Sequence, residues 1–307
     1  AFQRLKDLKI MLEESGLARR HGDKLELTPR GLRKIGEKAL KDIFATVDKD
    51  HFGKHEARRR GLGLVRSEET RRYQYGDPFS VDLGRTLLNS VQRTSPGQRL
   101  DIRPDDFEVY HSEYTTQSST VLMLDMSWSM AWFNRFYAAK KVAMALNQLI
   151  RSKFPKDSLR IVGFYAFANE LQFEELPFTT WMEGTLGTNI QEGLRISSQL
   201  LERDRGTNKQ VILITDGEPT AHVENGRFFF QYPPSKRTVA ATLREVQRCT
   251  KKGITINTFM LGEDNYLAEF VGQMTRINKG RAFYTSPEDL GSYLLVDYIT
   301  NKRKRIR

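Results

Sequence analysis

Short, almost wholly apolar runs alternate in the second half of the chain with longer segments whose apolar residues recur every three or four positions. Val121–Leu124 is the first run, and Phe136, Ala139, Val142, Ala143, Leu146 and Ile150 then fall on one helical face. Leu159–Phe167 reads as a strand with Leu171–Phe173 as a short partner, and Ile190, Leu194, Ser197 and Leu201 mark a helix. Val211–Thr215 is the next apolar strand. Val239, Leu243 and Val246 mark a helix, Ile254–Leu261 a strand, and Leu267, Phe270, Val271 and Met274 another helix. Ala282–Tyr284 is a short strand, and a last helix starts near Pro287. Continuous apolar strands between helices belong to parallel sheets covered on both faces. The pattern predicts an α/β, doubly wound, Rossmann-like domain over 117–301, with a mostly parallel sheet and helices on both faces.

The first 116 residues follow other patterns. Phe2, Leu5, Leu8, Met11 and Leu12 recur at helical spacing, and Leu25–Leu27 is a short alternating strand. Thr28-Pro29 places a capping hydroxyl before a proline in the first turn of a second helix, striped by Leu32, Ile35, Ala39 and Ile43. Residues 1–50 thus form a small helix–strand–helix module, and Leu27 to Gly36 resembles the strand–helix step of winged-helix domains. Residues 51–116 read as a connecting region. Val81, Leu83, Leu87, Leu88 and Val91 suggest one helix, weakened by Gly84 inside it, and Phe107, Val109 and His111 an edge strand. His51 and His55 share a helical face, but no third ligand stands near enough to make a zinc site.

Charge and cysteine content narrow the function. A net charge of +11 allows an acidic partner, protein or nucleic acid, and part of it sits in the basic tail 302–307 and in Arg58-Arg59-Arg60. The bland reading of both blocks is a solvated terminus and an exposed face. The single cysteine, Cys249, excludes an internal disulfide framework and is expected to pack. No apolar run approaches membrane-spanning length and no secretory signal is visible, so a cytoplasmic, reducing location is expected.

The chemistry gathers in three fragments. Asp125-Met126-Ser127-Trp128-Ser129 follows the first apolar strand, Gly187-Thr188-Asn189 precedes a helix, and Asp216 follows the apolar strand Val211–Thr215. Ligands in such sheets bind beyond the carboxyl ends of strands, where the winding reverses, so adjacent strands would bring Asp125 and Asp216 to one crevice. Two carboxylates and three hydroxyls suit a hard divalent cation. A largely neutral ligand set leaves that cation electrophilic enough to take a further carboxylate. The bland alternative is a helix cap, a capping threonine and two turn aspartates.

In this order and at these strand ends, the three fragments resemble the von Willebrand factor A (vWA) domain and its metal-ion-dependent adhesion site. The resemblance covers roughly residues 117–300 and departs at none of five positions. It implies Asp125, Ser127, Ser129, Thr188 and Asp216 as metal-site residues, holding Mg²⁺ (Mn²⁺ or Ca²⁺ as substitutes) that grips a partner protein's Glu or Asp. It also implies a binding module rather than an enzyme. With the expected location, the chain looks like the bacterial intracellular vWA proteins, which work as adaptors for AAA+ ATPases of the MoxR or magnesium-chelatase kind. Alternatives are a nucleic-acid-associated scaffold, an extracellular adhesin, and a metal-dependent hydrolase using His222, whose plainer reading is an exposed loop residue. No nucleotide-binding Gly-rich loop, Gly-x-Ser-x-Gly elbow or His-Glu-x-x-His motif is present. Trp128 and Trp132 belong at the rim or in the packing of the following helix. Residues 221–237 look like an irregular apolar insertion able to read a partner, and Glu218 or Glu224 could cap the metal at rest.

Overall fold

The structure is a computed structural model describing residues 9–21, 24–50, 70–74, 81–93, 101–110, 117–184, 186–262 and 265–302. The His51/His55 pair, the Arg58–Arg60 block and the last five residues of the basic tail lie outside them. The chain divides into two compact units, 1–53 with 116–302, and 54–115 with 303–307.

Among the described residues of the larger unit, 9–14 are helical. An antiparallel hairpin follows, β1 (Ala18–His21) with β2 (Lys24–Leu27), then helix α1 (Pro29–Asp50). Strand β1 is an addition to the helix–strand–helix pattern: its sequence, Ala-Arg-Arg-His, carries one apolar residue and gives no alternation. Thr28 caps α1, accepting from the Gly31 amide at 3.1 Å while donating to the Gly16 carbonyl at 2.7 Å. Leu32, Ala39 and Ile43 of α1 are buried in the same core as the central sheet.

In the smaller unit, β3 (Thr70–Arg72) pairs antiparallel with β4 (Glu108–Tyr110), and helix α2 (Leu83–Arg93) lies between them in sequence. The apolar positions of α2 do not form its inner face. Leu83, Leu87, Leu88 and Val91 are exposed, and Thr86 and Ser90 are buried. Hydrogen bonds decide this orientation. The Glu108 amide donates to Thr86 Oγ1 at 3.1 Å, Ser90 donates to the Asp101 carbonyl at 3.0 Å, and Arg93 grips Asp106 through Nε at 3.0 Å and Nη2 at 2.7 Å.

The central sheet of the larger unit follows. Its elements in chain order are β5 (Ser118–Asp125), α3 (Arg135–Lys153), β6 (Ser158–Phe164), β7 (Ala168–Leu171), α4 (Ile190–Arg203), β8 (Asn208–Thr215), the hairpin β9 (Ala221–Glu224) and β10 (Arg227–Phe230), α5 (Lys236–Lys251), β11 (Thr255–Met260), α6 (Asn265–Asn278), β12 (Ala282–Tyr284) and α7 (Leu290–Lys302). The spatial order is β12-β11-β8-β5-β6-β7, parallel except for the edge strand β7. The expected strand over Leu159–Phe167 ends at Phe164. The chain turns there and returns antiparallel through Ala168–Leu171 rather than Leu171–Phe173.

Every residue of β5 is buried, and successive side chains feed opposite cores. Leu122 and Leu124 join Ile212, Ile214 and the apolar faces of α3, α7 and α1. Val121 and Met123 join Val211, Leu213 and the faces of α4, α5 and α6. Each fully buried Val, Leu or Ile of these runs contributes roughly 1.5–3 kcal/mol by leaving water, which makes the paired strands β5 and β8 the rigid centre of the unit. Strand β6 follows β5 on one side, whereas β8, β11 and β12 extend the other. The winding therefore reverses between β5 and β8, and their carboxyl ends open the ligand crevice of a doubly wound fold. Among the described residues no helix is long and apolar enough to cross a membrane.

Candidate metal centre

Asp125 is the last residue of β5, and Thr215, the last of β8, stands across from it. The Ser127 amide donates to Asp125 Oδ1 at 2.9 Å, and the Thr215 hydroxyl donates to Oδ2 at 2.5 Å. Ser127 Oγ and Ser129 Oγ lie 3.1 Å apart, and Ser129 donates to Asp216 Oδ1 at 2.7 Å. Four of the five candidates thus share one hydrogen-bonded cluster. The fifth, Thr188, is buried, but its hydrogen bonds run to Thr220, four residues past Asp216, and not to that cluster. Its amide donates to Thr220 Oγ1 at 2.8 Å, and its carbonyl accepts from the Thr220 amide at 3.1 Å. Asn189 fixes this loop by capping α4 at the Glu192 amide and donating to the Ala166 carbonyl at 2.9 Å.

The cluster is electrostatically demanding. Asp125 is fully buried, and burial followed by the charge of Asp216 pushes its carboxyl well above the usual range, against the lowering effect of the Ser127 and Thr215 hydrogen bonds. Two carboxylates held this close call for a cation. Every donor is a hard oxygen, so the residues fit Mg²⁺ or a similar ion. Among the described residues no three His, Cys, Asp or Glu side chains gather to hold a metal, so any hard-cation site here depends on hydroxyls.

Part of the demand is met from within. Arg135 Nη1 donates to Asp216 Oδ2 at 2.7 Å, with the carboxylate side chain fully buried and the guanidinium side chain 20% exposed. Arg135 is absent from the sequence-derived candidates because the pattern of oxygen ligands does not include it. One weak signal was available: it is the first residue of α3, where the helix dipole disfavours a cation and the first turn holds no acidic residue to offset it. Phe133 and Asn134, just before it, both adopt left-handed backbone (φ 53° and 61°), a conformation that asparagine takes readily but that costs Phe133 of order 1–2 kcal/mol.

Aromatic side chains surround these elements. Trp128 and Trp132 are both exposed and meet edge to face at 6.1 Å, and Phe133 is 76% exposed. Phe167 and Phe228, also exposed, lie 5.5 Å apart. Gly187 has φ 124°, and a side chain there would run into Ala221. The 221–237 segment is not an irregular insertion: it contains the β9–β10 hairpin, tied to α4 where Gln191 exchanges two hydrogen bonds with Val223. His222 is not an exposed loop residue either. It is buried in β9, stacked on Phe229 at 5.1 Å, with Nδ1 3.1 Å from Thr238 Oγ1, and burial lowers its pKa. Glu224 pairs with Arg237 and Arg244, so it is committed to the hairpin and α5 rather than to the metal candidates. Cys249 lies within the last turn of α5, fully buried, its thiol pushed up to about 12 by burial.

A doubly wound sheet of this strand order, with Asp-x-Ser-x-Ser leaving its central strand, defines a von Willebrand factor A domain, a module that typically mediates protein interactions. The family described as Rv0959-like protein, vWA domain, matches residues 118–299, and the third domain of the same family matches 65–112. The chain belongs to the Rv0959-like proteins. The uncharacterized proteins Rv0959 of Mycobacterium tuberculosis and Mb0984 of Mycobacterium bovis are each 34% identical over 310 residues, covering 98% of this chain and 46% of the relative. The chain therefore spans about half the length of the curated relatives it matches. The D319A mutant of the PilB minor pilin from Streptococcus sanguinis is similar with a TM-score of 0.51 at 16% identity, over 68% of this chain and 67% of that one. That likeness concerns the fold alone.

Proposed function

We propose that this chain docks a partner protein through a divalent cation, Mg²⁺ in the first instance, held by Asp125, Ser127, Ser129, Thr188 and Asp216. The observation that carries the reading is the hydrogen-bonded cluster of Asp125, Ser127, Ser129 and Asp216 at the carboxyl ends of β5 and β8. When bound, the cation supplies an open coordination position for an incoming carboxylate. Thr215 and the Ser127 amide orient Asp125, and Ser129 orients Asp216. Exposed aromatics on the neighbouring segments favour a polypeptide partner whose acidic residue is flanked by apolar side chains. The vWA resemblance adds a partner class, an AAA+ ATPase of the MoxR or magnesium-chelatase kind, in the cytoplasm. The role is that of a binding module, with no reaction of its own.

Calorimetric titration with Mg²⁺ and Mn²⁺ tests the metal, with saturable binding expected in the wild type and none in Asp125→Ala. Undiminished binding in that variant would sink the assignment. Capture of an AAA+ ATPase in Mg²⁺, lost in a chelator, is the expected partner result; capture indifferent to the chelator would remove the metal from the docking step.

A further inference from the structure

We propose that Arg135 is an internal rival of the divalent cation, holding Asp216 by its own positive charge and so weakening metal binding. The inference rests on the metal reading above and adds to it how the site is regulated. Both oxygens of Asp216 are engaged, but by donors of different kinds: Oδ1 by the neutral Ser129 hydroxyl and Oδ2 by the Arg135 guanidinium. A hydroxyl can donate to a carboxylate while its oxygen faces a cation. A guanidinium brings a like charge beside the metal, and the repulsion acts in a buried setting that water screens poorly.

Three features set Arg135 apart from an ordinary structural ion pair. It stands at the first residue of α3, where the helix dipole opposes it. It directly follows two successive left-handed residues, Phe133 and Asn134, the kind of backbone that collects at functional sites. Its Nε is buried with no acceptor among the described residues, so the seat leaves the group partly unsatisfied. The guanidinium carbon also lies 5.1 Å from the ring centre of Phe133, itself exposed. An incoming carboxylate that draws the guanidinium toward this outer side frees Asp216 for the metal. Metal and acidic partner then reinforce each other, because each is bound more tightly once the other has displaced or recruited Arg135.

The test is a calorimetric titration with Mn²⁺ alone on wild type, Arg135→Met and Arg135→Gln, with Asp125→Ala as control and melting curves to establish folding. Arg135→Gln retains a hydrogen-bond donor near Asp216, so it serves where Arg135→Met folds poorly. Both neutral variants are expected to bind Mn²⁺ about tenfold more tightly, or better. Mn²⁺ binding that Asp125→Ala abolishes, but that the Arg135 variants leave unchanged or weaken, overturns this proposal and leaves the metal reading standing. No binding in wild type and variants alike, or binding that Asp125→Ala does not affect, overturns both.

Discussion

Replacing Asp125 by Asn is expected to make the protein more stable while destroying the proposed metal site. The side chain is fully buried, and burial together with Asp216 holds its carboxyl above the ordinary range. The folded state therefore binds this proton more tightly than the unfolded chain does. The contribution of this group to stability is fully present at and below the ordinary carboxylate pKa near ~3.9, is lost as pH rises above it, and levels off past the raised folded value. Asparagine removes that slope. It also fits the local hydrogen bonds: its oxygen still accepts from the Ser127 amide, and Thr215 can turn its hydroxyl to the Gly217 carbonyl, 3.1 Å away, while accepting from the new amide. Making two charge-assisted bonds neutral gives up roughly 1 kcal/mol each. A buried carboxylate without a cation of its own costs several kcal/mol, so the net gain is ~1–3 kcal/mol at pH 7.5. The assay is thermal unfolding in chelator, where Asp125→Asn is expected to melt roughly 3–8 °C higher at pH 7.5 and to approach the wild type near pH 4. Adding Mg²⁺ should raise the wild-type midpoint only, through binding to the folded state. A variant that melts below wild type in chelator at pH 7.5 would refute the reasoning.

Further expectations concern the remaining parts of the chain. Ile43→Ala should cost about 2–4 kcal/mol in chemical denaturation, because Ile43 is buried in the sheet's own core; a negligible change would detach α1 from that core. Asp106→Asn should speed amide hydrogen exchange in Leu83–Arg93, since Arg93, followed by the Arg103 amide, holds the Asp106 carboxyl down to about 2. That wild-type contribution is fully present above the unfolded carboxylate pKa and is lost as pH falls toward 2, so the exchange difference should shrink in acid. Phe167→Ser combined with Phe228→Ser should leave the Mn²⁺ titration and the melting point nearly unchanged but reduce partner capture; unimpaired capture would remove these two rings from the docking surface.

The sheet was legible because parallel strands buried on both faces need unbroken apolar runs, and Val121–Leu124 and Val211–Thr215 supply them. The clustering of Asp125 with Asp216 was legible for the same reason, since each follows such a run and the runs are neighbours. Elements fixed by polar bonds were not legible. Strand β1 has one apolar residue, and α2 turns Thr86 and Ser90 inward because their hydroxyls find partners, against the pull of four leucines and valines. His222 looked like a loop residue because the run Phe228-Phe229-Phe230 lacks alternation, yet Phe229 stacks on it across the β9–β10 hairpin. Arg135 was hidden for a different reason. A search for oxygen ligands passes over a cation, and the carboxylate that accepts it lies 81 residues away in sequence.

The central claim is that a hard cation sits among these oxygens. Anomalous diffraction from crystals soaked in Mn²⁺ tests it most directly. The account predicts one strong peak within bonding reach of the Ser127, Ser129 and Thr188 hydroxyls and the Asp125 and Asp216 carboxylates, absent in crystals of Asp125→Ala. A well-diffracting wild-type crystal at saturating Mn²⁺ with no peak there, or with its only peak elsewhere, would contradict it.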